Sequence, residues 1–101
     1  MWRLTAQPAD FFGLRDRGEL RPGAFADVVV FDPETVGTGE IALVDDLPGG
    51  TARLAAGAVG VHRVVVNGTT IVQNGADTGT RPGTVLRSGR DTTTVPIPAD
   101  L

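Results

Sequence analysis

The chain has 101 residues, 41% hydrophobic and 21% charged, and its nine arginines face twelve acidic residues for a formal net charge of −3. That length holds one core and no second, and an acidic balance without a basic face argues against a nucleic-acid partner. There is no cysteine, lysine or tyrosine, and only one histidine (His62) and one serine (Ser88), so disulfides, thiolate metal sites, Schiff-base chemistry, carrier lysines and the lysine-ended phosphate loop are excluded.

The N-terminal stretch MWRLTAQPAD lacks the apolar core of a signal peptide, and no run approaches the roughly 18 apolar residues of a membrane span. The chain therefore reads as cytoplasmic, with no membrane partner. Residues 1–14 carry the only good helical pattern, with Leu4, Phe11 and Phe12 at i, i+7 and i+8. Thr5 is placed to cap this helix, Pro8 falls in its first turn, and Gly13 is placed to end it in a left-handed conformation. So short a helix is marginal alone, and its aromatic face is expected to dock on something else.

Residues 15–87 read as a small β domain. After the Pro22-Gly23 turn, Val28-Val29-Val30-Phe31 has no polar face and is expected to be a strand covered on both sides. Pro33 stops it. From 34 to 60 the glycines punctuate a stretch with only Ile41 to Val44 as a plausible short strand, read as a long connection with partial order. Val61 to Val66, Asn67-Gly68 and Thr69 to Val72 give the clearest hairpin signal, because Asn-Gly suits the two positive φ angles of a type I′ turn. Asn74-Gly75 repeats the cue. Arg81 to Arg87 is expected to add a last short strand, and residues 88–101 read as a flexible tail. The fold class is mainly β with one short N-terminal helix.

No catalytic constellation emerges from these residues. His62 has no second histidine or cysteine with which to complete a metal shell, and it reads as an edge or surface residue. Ser88, between Arg87 and Gly89, lacks the strained turn of a nucleophile. Asp45 and Asp46 point to opposite sides of an extended chain and form a solvated loop. Asp27 and Asp32 flank a strand, and their plain reading is a local backbone bond for Asp27 and an Asp-Pro turn for Asp32. Asn67-Gly68-Thr69 matches a glycosylation sequon, but the hairpin explains the dipeptide. Arg15, Arg17 and Arg21, interleaved with Asp16 and Glu19, form a salt-bridged surface. No catalytic, cofactor-binding or metal residue is assigned, and no cofactor is expected in this chain.

A resemblance goes further. The order Leu4-Thr5, Pro8-Ala9, Gly13-Leu14, Asp16-Arg17-Gly18, Leu20, Pro22-Gly23, then Ala26 to Asp32 is similar to the segment that follows the barrel in metal-dependent amidohydrolases, the superfamily of ureases, dihydroorotases and imidazolonepropionases. A second block, Gly60-Val61, Val64-Val65-Val66-Asn67-Gly68, Val72, Asn74-Gly75, Thr78-Gly79, Arg81-Pro82-Gly83 and Val85-Leu86-Arg87, resembles the C-terminal end of the D-aminoacylase (N-acyl-D-amino-acid deacylase) branch. Together the two blocks cover about residues 3 to 90.

The resemblance implies a part of the small β-sandwich, the urease-like composite domain, that accompanies the barrel. In such enzymes a metal-activated water hydrolyses N-acyl amide bonds, with zinc in the parent enzyme. The barrel residues that hold the metal have no counterpart here, so the chain is expected to be a noncatalytic C-terminal fragment or remnant of a longer hydrolase. Unpaired sheet edges and the Phe11/Phe12 face lead to an expected partner, either a second copy (homo-oligomer) or a barrel-bearing amidohydrolase chain, at the strands Val28 to Phe31 and Val64 to Val72. The alternative reading is a free-standing β module for protein interaction or small-ligand binding.

Overall fold

The computed structural model describes residues 1–99. A single 3₁₀ turn at Trp2–Leu4 leads into helix α1, Ala6–Phe12. The chain ends α1 as expected: Gly13 is left-handed (φ 68°), its N–H donates to the Asp10 carbonyl, and the Leu14 N–H reaches back to Ala9. Those two bonds satisfy carbonyls that the end of a helix would otherwise orphan. The Thr5 cap is not made, because its hydroxyl donates to the Met1 carbonyl at 2.9 Å instead of accepting from the helix. The docked face is also not the aromatic one. Ala9 is 4% exposed and sits against the Gly18 loop, whereas Phe11 and Phe12 stack edge to face on each other and stay largely in solvent.

Six strands follow: β1 Val28–Phe31, β2 Gly37–Val44, β3 Arg53–Val59, β4 Val61–Val66, β5 Thr69–Gln73 and β6 Ala76–Asp77. Strands β1-β4-β5-β6 form an antiparallel sheet in that order, and β2 pairs with β3 alone. Both Asn-Gly turns are type I′ hairpins. Asn67 and Gly68 have φ 48° and 81° between partners Val66 and Thr69, and Asn74 and Gly75 have φ 50° and 81° between Gln73 and Ala76.

The stretch 34–60, expected to be a loosely ordered connection, is instead a β-hairpin arm, β2–β3. Its sequence is rich in Gly and Ala, which pack weakly in strands and give little β signal. Because β1 runs on toward β2 and β3 toward β4, the two ladders form one long ribbon interrupted at a single place. There, residues Asp32 to Val36 bulge out opposite Gly60. The Asp32 N–H donates to Gly60 O at 2.8 Å, the Asp32 carbonyl accepts from Thr35 and Val36, and the Asp32 carboxylate accepts the Glu34 N–H at 2.9 Å. Gly60 has φ 74°, and a Cβ there would lie 2.5 Å from the Val36 nitrogen. At the arm's tip the Arg53 guanidinium clasps Asp46 through two bonds of 2.8 and 2.7 Å, which holds that carboxyl below its usual range.

Two expectations about the C-terminal stretch need correction. Residues 81–87 are extended but form no strand: Pro82 has no N–H to give a ladder, and its carbonyl is held by the Asn67 side chain instead. Residues 88–93 are not a free tail. A turn closed by Asp91 on the Arg87 N–H brings Thr92 opposite Leu14, the Thr93 N–H donates to Gly13 O at 2.8 Å, and the Arg15 guanidinium donates to the Arg90 carbonyl. The last two residues of that expected tail, 100 and 101, lie outside the described residues.

Among the described residues Ala9 is the sole buried hydrophobic residue, and no large side chain is fully buried. Val29 and Val30 point to opposite faces of β1 and are 51% and 47% exposed, so the cover expected on both sides of this strand is not supplied by the chain. The accessible surface is 7948 Å², against ~5,400 Å² for a compact monomer of this mass. The radius of gyration is 17.2 Å, against about 13 Å for a compact chain of this length. The sheet is a single layer. No helix among the described residues is long and apolar enough to cross a membrane.

Two predictions follow from the arm. Gly60→Ala combines left-handed strain with a backbone clash and is expected to cost about 2 kcal/mol or more, whereas Gly49→Ala, at an open left-handed site on the arm's tip, costs about 1 kcal/mol; urea unfolding followed by circular dichroism compares them. Asp46, with its carboxyl lowered by Arg53, contributes stability that is present above the ordinary carboxylate range and lost as pH falls through the lowered value. Asp46→Asn should therefore lower Tm slightly at neutral pH and flatten its decline below about pH 4, read by thermal melts across that range.

Candidate functional site

The residues singled out from the sequence do not converge. His62 lies exposed on β4, Ser88 is exposed beside the turn at 88–91, and Asp45 and Asp46 sit at the tip of the arm. Asp32 closes the bulge beneath that arm. Arg21 is paired with Asp16 at 2.9 Å and with Glu19 at 3.2 Å, an exposed salt-bridged surface as the mixed signs imply, whereas Arg15 donates to the Arg90 carbonyl and Arg17 is largely covered. Among the described residues no three His, Cys, Asp or Glu side chains are grouped so as to hold a metal ion. The donor set therefore does not fit the zinc centre of an amidohydrolase, and no step is derived through one.

Two other places gather side chains. The first is a polar junction. Asp27 accepts from the Arg17 guanidinium at 2.6 Å and from the Asn67 backbone N–H at 2.9 Å, and the Asn67 side-chain amide donates to Pro82 O at 2.9 Å. Arg17, only 12% exposed, also lies 4.1 Å over the Phe25 ring. Asp27 was expected to bond local backbone N–H groups, but the backbone N–H its carboxylate accepts from is forty residues away. The Asn67 side chain, read from sequence only as a turn former, carries the tie to residue 82. Its Oδ1 is buried without a partner among the described residues. The junction holds the loop after α1, the first hairpin and the segment after β6 in register, and every charged member is already committed.

The second place is a shallow apolar groove on the sheet, floored by Val66, Ile71, Val72 and Pro82. The Asp77–Arg81 ion pair, 3.0 Å long, stands at its edge. Arg81 holds the Asp77 carboxyl below its usual range, which leaves that carboxylate ionised and unsuited to general acid work near neutral pH. The polar groups at its rim are that arginine-paired carboxylate and the Thr80 hydroxyl, which donates to the Thr70 carbonyl. Chemically it offers burial for an apolar side chain and nothing more.

The chain is 43% identical to a D-aminoacylase of Alcaligenes xylosoxydans xylosoxydans over 86 residues, which cover 85% of this chain and 16% of that enzyme. It is 42% identical to an N-acyl-D-glutamate deacylase over 84% of its length and 40% identical to an N-acyl-D-aspartate deacylase over 86%, both from the same organism. The chain thus spans only 15–16% of the length of the curated relatives it matches. No protein-family model matches it, and no solved structure does. With identity of 40–43% over 84–86% of its residues, the chain is homologous to the C-terminal part of these longer deacylases.

Proposed function

We propose that this chain is the noncatalytic β segment of an N-acyl-D-amino-acid deacylase and braces the catalytic part instead of contributing reactive groups to it. The observation that carries this reading is the surplus of uncovered apolar surface, in a sequence that aligns along most of its length with deacylases several times longer. A layer of sheet with bare faces is a piece of a larger packing unit. Hydrolysis of the N-acyl amide bond, with a zinc-activated water, belongs to residues outside this chain, because among the described residues its single imidazole and its scattered carboxylates do not make a metal shell. The partner is a barrel-bearing amidohydrolase chain. It covers Trp2, Phe11 and Phe12 and pairs with the open edge of β1, where the backbone groups of Val28 to Phe31 on the side away from β4 have no neighbouring strand. A cytoplasmic location suits a chain without cysteine.

The purified chain, supplied with zinc and N-acetyl-D-amino acids, is expected to show no turnover; metal-dependent hydrolysis by the chain alone would sink the reading. Co-expressed with a deacylase relative from which the matching segment has been deleted, it should restore hydrolysis. The Phe11→Ser/Phe12→Ser variant should fail to restore it while keeping the circular dichroism of the parent, since both rings already face solvent in the isolated chain.

A further inference from the structure

The β2–β3 arm has an apolar face of its own, separate from the aromatic ridge of α1. Its cross-strand pairs are Leu43 with Leu54 near the tip, Ile41 with Ala56 in the middle and Thr38 with Ala58 at the base. These three pairs share one side of the ribbon, because side chains alternate along a strand and the extra residues at Gly39 and Glu40 are absorbed where the register shifts between Thr38 and Ile41. Leu43, Leu54 and Ile41 are 74%, 70% and 66% exposed. A two-stranded ribbon is marginal by itself, so a bare face of this kind calls for a cover.

We propose that the cover is a second copy of the same face: two chains stack their arms antiparallel, tip over base, about a two-fold axis near the Ile41–Ala56 pair. The side chains shrink steadily from tip to base, Leu–Leu, then Ile–Ala, then Thr–Ala. Reversed on itself, such a face sets its leucine pair over its partner's small base, so the bulk sums evenly along the stack. A parallel stack sets leucine on leucine and leaves a gap at the base, and a flat partner leaves the same gap. A two-fold axis needs only this one self-complementary patch.

Charge follows the same geometry. Asp45 lies four residues beyond Ile41 toward the tip, and Gly60 lies four residues beyond Ala56 toward the base. The antiparallel stack therefore carries the Asp45 carboxylate over the partner's bulge and the start of β4, where Arg63 is exposed. Neither Asp45 nor Arg63 has an ion-pair partner among the described residues. In area, three large side chains about two-thirds exposed, with the alanines between them, give on the order of 400 Å² per copy, about half of a standard stable interface. The dimer is accordingly reversible and concentration-dependent. It rests on the arm alone, not on the deacylase reading.

Sedimentation equilibrium of the full chain tests this. The wild type is expected to pass from monomer to dimer across the micromolar range, roughly 1–100 μM. Leu43→Lys/Leu54→Glu exchanges the apolar pair for an oppositely charged one that keeps the hairpin, and it should weaken dimerisation at least about 30-fold with unchanged circular dichroism. Because the chain has no cysteine, single substitutions report the geometry. Ala56→Cys near the axis should link to its own copy through a bismaleimide that spans the ~10 Å between stacked sheets, and Thr51→Cys at the tip should not. A monomer up to about 1 mM, a charged-pair variant that dimerises like wild type, or Thr51→Cys linking as fast as Ala56→Cys would each overturn the proposal. Failure here leaves the complementation experiment, which reads Phe11 and Phe12, unaffected.

Discussion

A β-sheet removes a face from water only when a second layer lies on it, and everything distinctive about this chain comes from having one layer. A sheet of four strands and a two-stranded arm leave leucine, isoleucine, valine and phenylalanine side chains in solvent on several sides. The surplus, ~2,500 Å² above a compact monomer of this mass, is of the size that obligate interfaces bury. Hydrophobic burial, ordinarily the dominant driving force of folding, is therefore largely unmade within the chain itself.

In place of a core, the described structure is held by backbone geometry and by a few polar ties that span long sequence distances. Two type I′ turns set the register where β4 meets β5 and where β5 meets β6. Asp27 joins the loop before β1 to Asn67, and Asn67 joins in turn to Pro82, so one carboxylate and one amide locate three separate segments. Thr92 and Thr93, returning to Gly13 and Leu14, anchor the C-terminal stretch beside the end of α1. Most of these groups are exposed or only partly buried. Each tie is thus modest in energy.

The same constraint connects structure to function. Under the proposed reading, a segment that lends its apolar face to a larger unit needs no reactive groups of its own. Among the described residues the one imidazole belongs to no metal-holding group, and the Asp27, Asp46 and Asp77 carboxylates are clasped by arginines. Kinship to deacylases and the want of a site in this chain are compatible, because the matched region is about a sixth of those enzymes. The arm is the exception to the picture of a plain brace, since the graded size of its side chains suits a copy of itself.

What the sequence by itself determined is local or compositional. Asn67-Gly68 and Asn74-Gly75 dictate their hairpins because only a few residue types tolerate two consecutive positive φ angles. Gly13 ends α1 for the same conformational reason, the lack of cysteine excludes disulfides and thiolate metal sites whatever the fold, and the spaced blocks around Asp16 to Asp32 and Gly60 to Arg87 carry the resemblance to the deacylases. What only the tertiary structure decided is non-local. The glycine- and alanine-rich stretch from 37 to 59 becomes an arm because each strand finds the other, and neither half signals that alone. The pairing of Asp27 with Asn67, the return of Thr93 to Gly13 and the docking of α1 through Ala9, with its aromatic face left bare, depend on which segments meet in space. Local propensity and periodicity carry no information about those meetings, because they describe neighbours along the chain and the ties are made across it.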